Sequence, residues 1–137
     1  MKKIEFTISS SMNNIDTYIE SLIETIVNQF KIPSDLYGKL NLTVTEAIIN
    51  AVRWGNKEDI RKKVRIAAIT KEDQFIMVIE DEGQGFDYTK ISDPTSPTNL
   101  NKESGRGLFL MKNLTDDLIF ENNGAKISLI FNISLFN

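Results

Sequence analysis

Three short stretches decide the fold of this chain: EAIIN at residues 46–50, DEGQGF at residues 81–86 and SGRGL at residues 104–108. The first places a carboxylate and an amide four residues apart in an otherwise apolar segment. The second ends a hydrophobic run with an acid and two glycines. The third places glycines where a helix is expected to begin. Each stretch alone is a weak signal, so their order along the chain carries the interpretation.

The composition predicts a single domain that spans residues 1–137. Of the 137 residues, 41% are hydrophobic and 26% are charged, and a chain of this length buries roughly two-thirds of its unfolded surface. The net charge is −3, which does not favour nucleic-acid binding, because that requires a basic face. The basic cluster at residues 61–65 follows Glu58 and Asp59, and we interpret it as a solvated turn.

The chain contains no cysteine and no histidine. Disulfides, thiolate zinc sites and cysteine nucleophiles are therefore excluded. Ser-His-Asp hydrolysis, a kinase catalytic loop of the H-R-D type and autophosphorylation on histidine are excluded as well. No apolar signal core follows Met1-Lys2-Lys3, and no apolar run approaches the ~20 residues that cross a bilayer. We expect a cytoplasmic protein without membrane contact.

The first half of the chain predicts a strand and two helices. Apolar and polar residues alternate over Ile4–Ile8, and Ser10-Ser11 is expected to cap the helix that follows. Pro33 opens a second helix, and Gly55-Asn56 is expected to end it in a left-handed conformation. The apolar stripe of the first helix has three- and four-residue spacing and comprises Ile15, Tyr18, Ile19, Leu22, Ile23, Ile26, Val27 and Phe30.

The second half predicts four strands, a loop and a short helix. The loop over residues 87–104 is long and polar, which is typical of a lid or of disorder, and Leu108, Met111 and Leu114 mark the helix after it. The order is β-α-α-β-β-lid-α-β-β, which predicts an α+β fold: a two-layer sandwich with three helices on one face of a mostly antiparallel sheet. The predicted strands are Val64–Thr70, Phe75–Glu80, Asp117–Glu121 and Lys126–Ile133.

Glu46 and Asn50 share one face of the second helix, because they lie four residues apart. A carboxylate there is able to accept a proton from an attacking hydroxyl. An amide oxygen is able to ligate Mg²⁺, whose other ligands are usually phosphate oxygens and waters. The alternative is a solvated polar stripe on an amphipathic helix.

Asp81 follows a buried strand, where an unpaired carboxylate is costly, and an adenine amino group is one partner that would satisfy it. Gly83 and Gly85 would let a ligand approach the backbone, although a tight turn after a strand explains them equally well. A dinucleotide fingerprint is rejected, because Tyr88 stands where its third glycine belongs. No phosphate loop of the G-x-x-x-x-G-K-[ST] type is present.

Gly105-Arg106-Gly107 stands at the start of the third helix, where free backbone amides are able to bind phosphate. A flexible hinge into the helix is the alternative. Trp54, the only tryptophan, stands next to the end of the second helix and is interpreted as a packing anchor in preference to a ligand platform.

Joined in this order, the three stretches resemble the GHKL (Bergerat) ATPases, the ATP-binding domains of the gyrase, histidine-kinase and MutL type. Leu42–Ala51 and Ser104–Met111 look most like the anti-sigma factor serine kinases of bacteria. The resemblance implies ATP and Mg²⁺ as cofactors, an ATP lid at residues 87–106 and a homodimer. It also implies two partners, a sigma factor and an anti-sigma factor antagonist that is phosphorylated on serine.

Residue roles are carried over from the resemblance. Glu46 would be the general base, Asn50 would hold Mg²⁺ and Asp81 would accept from the adenine amino group. The remaining nucleotide-binding positions would be Gly83, Gly85, Phe86, Gly105, Arg106, Gly107 and Leu108.

Two positions depart from the family pattern. Trp54 replaces a common histidine, and Ala125 replaces a threonine near the adenine. The second departure keeps open a non-catalytic nucleotide- or partner-binding module of the same fold. A separated histidine-kinase catalytic domain and a DNA-directed gyrase- or MutL-like ATPase are further alternatives, and the latter would need additional domains and a basic surface.

Overall fold

The computed structural model describes residues 1–85 and 103–133. Within these ranges five strands form one sheet in the order β1-β2-β3-β5-β4, and every neighbouring pair is antiparallel. The predicted α+β fold class and element order are confirmed. The elements are β1 (Lys2–Ser9), α1 (Ile15–Phe30), α2 (Tyr37–Asn50), β2 (Lys63–Lys71), β3 (Gln74–Glu80), α3 (Glu103–Leu114), β4 (Asp117–Glu121) and β5 (Lys126–Asn132).

The apolar stripe of α1 packs on the sheet, as its spacing predicts. Phe30 at the end of α1 meets Phe75 of β3 edge to face, with ring centroids 5.4 Å apart. Tyr18 is the exception, since 63% of its surface is exposed. The α1 residues buried in the shared core are Ile15, Ile19, Leu22, Ile26 and Phe30.

The start of α1 differs from its prediction. Asn14 precedes the helix in a left-handed conformation, and no side chain caps the first turn. Ser10 is instead fully buried, and its hydroxyl donates to the Lys62 carbonyl over 2.8 Å. The predicted Ser10-Ser11 cap is therefore wrong, because Ser10 bonds across to the segment that leads into β2 and Ser11 accepts from the Asn13 N–H, which precedes the helix.

Helix α2 continues into a π-helical turn, Ala51–Gly55, where the Asn56 N–H donates to the Ala51 carbonyl over 2.8 Å. The helix ends where predicted, but Asn56 has a φ of −90°. The left-handed residues are the next two, Lys57 and Glu58, so the chain reverses later than expected.

The turn after these residues is solvated, as predicted for the basic cluster. Arg61 has a side chain that is 87% exposed and pairs with Asp59 at 3.0 Å. Hydrogen bonding to Arg61 lowers the pKa of Asp59 to about 2.

Both predicted hairpins are present. Lys71 pairs with Gln74 across the first turn, where Glu72 is left-handed. The second turn, Asn122–Gly124, contains three residues with positive φ. Helix α3 begins at Glu103, so the last four residues of the predicted lid are helical, and the rest of the lid lies outside the described residues. No helix in the described ranges is long and apolar enough to cross a bilayer.

Candidate functional site

A cavity of about 150 Å³ opens between α2, β3, α3 and β5. A dry cavity of similar size holds one aromatic ring in another protein. Asn50 and Asp81 line it on the polar side, and Leu108 lines it at α3. The three sequence stretches therefore meet at one cavity. Its apolar wall consists of Ala47, Ala51, Ile79, Leu108, Met111, Ala125 and Ile127.

Helices α2 and α3 touch at Gly107. A Cβ atom at this position would lie 2.6 Å from Glu46 Oε2 and 3.3 Å from Asn50 Nδ2. Gly107 is buried, whereas Glu46 and Asn50 are half-buried. The glycine thus lets the backbone at the start of α3 approach the carboxylate and the amide together.

Asp81 is held at the end of β3 by its backbone and its side chain. Its N–H donates to the Ala125 carbonyl over 2.8 Å, and its Oδ1 accepts from the Gly83 N–H over 2.7 Å. Burial raises the pKa of the Asp81 carboxyl above its usual value, and the Gly83 hydrogen bond opposes this shift. A carboxylate in such a place gains from a ligand that donates to it.

The glycines around Asp81 allow the protein backbone to pack against itself. A Cβ at Gly55 would lie 2.3 Å from Asp81 Oδ2, and a Cβ at Gly83 would lie 2.1 Å from the Gly55 carbonyl oxygen. Gly85 has a φ of +85°, and its Cβ would lie 2.1 Å from the Asn123 carbonyl oxygen. Gly85 lines the cavity and Gly83 does not, so Gly83 acts by letting two segments approach.

Trp54 differs from the packing anchor that the sequence suggested. It lines the cavity while 51% of its surface is exposed. The π-helical turn brings this about, because it rotates Trp54 and Gly55 relative to a regular helix. Ala125, the other departure from the family pattern, also lines the cavity. Periodicity alone did not reveal either placement, since both residues lie outside regular helix and strand.

The structure describes some of the remaining predicted site residues but not all of them. Gly105 and Arg106 lie in the first turn of α3, and Phe86 lies outside the described residues. Among the described residues, no cluster of three or more acidic, histidine or cysteine side chains could hold a metal ion. A magnesium ion at Asn50 would therefore depend on phosphate oxygens and waters for its other ligands, which is the usual mode for this ion.

The match to a known family covers nearly the whole described fold. The histidine kinase-like ATPase domain family matches residues 8–131. This chain belongs to that family. The matched range includes α2, β3, the Asp81 loop, α3 and all but the last residue of β5, and these segments line the cavity.

The curated relatives include several serine-protein kinases named RsbW. The one from Staphylococcus epidermidis is 31% identical over 97 residues, which are 65% of this chain and 61% of the relative. The one from Bacillus subtilis (strain 168) is 32% identical over 92 residues, 63% of this chain and 58% of the relative. The chain thus spans about three-fifths of the length of these relatives. A Bacillus cereus relative is 26% identical over 133 residues, 92% of this chain and 82% of the relative.

Proposed function

We propose that this protein is an ATP-dependent protein-serine kinase that also acts as an anti-sigma factor. The observation that carries the proposal is that Asn50 and Asp81 line one cavity while Gly107 packs against Glu46 and Asn50 beside it. The names of the RsbW relatives support the proposal. Its substrate would be a serine of an anti-sigma factor antagonist, and its binding partner would be a sigma factor.

The adenine ring would enter the apolar cavity with its amino group toward Asp81. The carboxylate accepts from a donor there, and the size of the cavity suits one ring system. Ala125 supplies no hydroxyl, so Asp81 carries most of the polar recognition of the base.

The phosphates would lie at the first turn of α3, where Gly105 and Arg106 lie, because free amides at a helix N-terminus favour anions. Gly107 and Leu108 would border them from the second turn. Asn50 would hold Mg²⁺ from the α2 side. The ion, when bound, neutralises charge on the phosphate oxygens.

Glu46 would act as the general base. It would take the proton of the serine hydroxyl as the serine oxygen bonds to the γ-phosphorus, and the bond to the β–γ bridging oxygen would break to release ADP. Gly107 keeps this carboxylate beside α3, where the phosphates would lie.

The proposal includes a homodimer in the cytoplasm, with no direct contact to nucleic acid or membrane. A row of isoleucines on the sheet is one surface where a second copy would pack: Ile69, Ile76 and Ile130 are direct cross-strand neighbours on the face opposite the core residues Ala68 and Met77. Ile69 and Ile76 are half-buried and Ile130 is buried within the single chain. Side chains alternate between the faces of a strand, so this apolar row faces away from the helices. Light scattering at several protein concentrations tests the assembly.

Phosphoryl transfer from labelled ATP to the antagonist tests the kinase directly. With Mg²⁺ present, the wild type is expected to label a serine of the antagonist. Glu46→Gln is expected to lower the rate by about 10²–10⁴-fold, the usual contribution of a general base, while ATP binding by calorimetry stays close to that of the wild type. Equal labelling by both proteins would contradict the role of Glu46.

A second candidate is a nucleotide-binding module that regulates a partner without phosphoryl transfer. Ala125 favours it, because none of the described residues that line the cavity offers a hydroxyl. Partner binding and ATP binding without any label on the antagonist would support this alternative, and robust labelling would end it.

A further inference from the structure

Asn56 is fully buried beside the cavity, although none of the roles above involves it. Its Nδ2 donates to Ser10 Oγ over 2.8 Å and to the Lys63 carbonyl over 3.0 Å. Its Oδ1 accepts from the Glu82 N–H over 2.7 Å. The amide therefore uses both donors and an acceptor, as a buried amide must.

These bonds join three separate segments of the chain. Ser10 follows β1, Lys63 begins β2, and Glu82 is the residue after Asp81. Ser10 passes the connection on, since its hydroxyl donates to the Lys62 carbonyl. The Glu82 carboxylate accepts from the Lys63 N–H, so Glu82 is tied to this region by its backbone and by its side chain.

The backbone is thereby fixed on both sides of the Asp81 Cα atom. On the Asp81 side, the N–H donates to the Ala125 carbonyl. On the Glu82 side, the N–H donates to Asn56. The direction in which the Asp81 carboxylate points depends on this stretch of backbone, because its Oδ1 accepts a hydrogen bond from the Gly83 N–H two residues further along.

We infer that Asn56 is a positioning residue that fixes the Asp81 carboxylate for recognition of the adenine amino group. The inference rests on the proposed function, since it concerns the nucleotide site. Asn56 touches no ligand and acts only through the Asp81–Gly83 loop. Its effect is confined to the base, because the phosphates would bind at α3 on the other side of the cavity.

The chemistry at residue 56 requires an amide. In Asn56→Asp an acceptor oxygen replaces the donor that faces the Lys63 carbonyl and Ser10 Oγ. Two acceptors then face each other in a buried place, which is unfavourable. The side chain would turn away or the loop would shift, and in either case the support of Glu82 is lost.

The test compares two ligands, ATP and the analogue that carries hydrogen in place of the adenine amino group. For Asn56→Asp we expect ATP binding by calorimetry to weaken about tenfold, the equivalent of one hydrogen bond, with binding of the analogue unchanged. Asn13→Asp makes the same change at an exposed residue and is expected to bind both ligands as the wild type does. Equal weakening toward both ligands would overturn the inference, because a merely structural role predicts it.

A double-mutant cycle tests whether Asn56 affects ATP affinity through Asp81. In an Asp81→Asn background, Asn56→Asp is expected to have no further effect on ATP affinity, whereas an additive effect would overturn the inference.

Ser10→Ala is the second variant, to be used if Asn56→Asp does not fold, because it removes one hydrogen-bond partner of the Asn56 amide. We expect it to weaken the binding of ATP about twofold to threefold and to leave the binding of the analogue unchanged. If Ser10→Ala has the same ratio of ATP affinity to analogue affinity as the wild type, the inference is contradicted. Failure of the wild type to bind ATP would instead refute the proposed function.

Discussion

At the scale of single residues, the close approaches at glycines are what bring the site together. Gly107 admits Glu46 and Asn50 to the start of α3, and Gly55 admits the Asp81 carboxylate to the end of α2. The Gly107 contact joins two of the three sequence stretches, and the Gly55 contact joins the Asp81 stretch to the π-helical turn after α2. A larger residue at Gly107 or Gly55 would push apart segments that must lie close together to form the proposed nucleotide site.

The Gly107→Ala variant tests whether the close approach of α3 to α2 positions the Glu46 carboxylate. The added Cβ would lie 2.6 Å from Glu46 Oε2, so the carboxylate must move, and we expect slower phosphoryl transfer. The fold is expected to persist, because the neighbour is a flexible side chain and alanine favours a helix by about 1 kcal/mol over glycine. Transfer assays and urea unfolding of the same preparation separate the two effects.

Gly38→Ala is the matched control for that change. Gly38 also lies in a helix, but a Cβ there meets nothing within 4 Å. We expect a gain of about 0.5–1 kcal/mol in the free energy of unfolding and wild-type transfer. Slower transfer in Gly38→Ala would show that helix stiffening alone explains the Gly107→Ala result.

Asp81 gives a pH-dependent prediction. Burial raises the pKa of its carboxyl in the folded protein above the 3.8 of the unfolded chain, so the folded state binds the proton more tightly. Its ionisation therefore lowers the free energy of unfolding as the pH rises through the folded-state pKa, and this cost is absent below pH 3.8 by linkage. Asp81→Asn is expected to melt at or above the wild-type temperature at pH 7 while losing ATP affinity. Melting well below the wild type at pH 7 would contradict this account.

Trp54 provides a direct optical signal. It is the only tryptophan and lines the cavity with 51% of its surface exposed. A bound base would exclude water from the indole, so we expect the emission to change in intensity and move to shorter wavelength as ATP is added. Titration of Asp81→Asn should need far more ATP for the same change, and an unresponsive wild-type emission would place the ligand elsewhere.

At the scale of elements, helix α1 is held to the sheet by its buried stripe, and the Phe30–Phe75 pair is its anchor at one end. Phe30→Ala is expected to lower the free energy of unfolding by about 3–5 kcal/mol. Tyr18→Ala, on the exposed side of the same helix, is expected to stay within about 0.5 kcal/mol of the wild type. Urea denaturation measures both, and equal losses would mean that the stripe is wrongly assigned.

Some of the structural elements could be predicted from the sequence, and others could not. Helix α1 and the hairpin of β2 and β3 followed from periodicity and turn residues, because those signals are local. The Ser10 network and the placement of Trp54 did not, since both depend on where distant segments meet. The π-helical turn is the physical reason for the second case, because it alters which residues of Ala51–Gly55 face inward.

At the scale of the whole molecule, the order of the three stretches predicted the fold class, and the structure places Asn50 and Asp81 at one cavity. The roles of the site residues stay a prediction. The packing role of Gly83 could not be predicted from the sequence, because its close neighbour is the Gly55 carbonyl and not a ligand. Long-range packing of backbone on backbone leaves no periodic mark in the sequence.

The cavity walls come from α2, β3, α3 and β5, which are far apart in sequence. A ligand that fills such a space links the first half of the chain to the last strand and favours the native state by mass action. At a hundredfold excess over its dissociation constant, ATP would add about 2.7 kcal/mol. In a cell, the same linkage would make the lifetime of the protein against proteases follow the supply of its nucleotide, so starvation would shorten the survival of the protein itself.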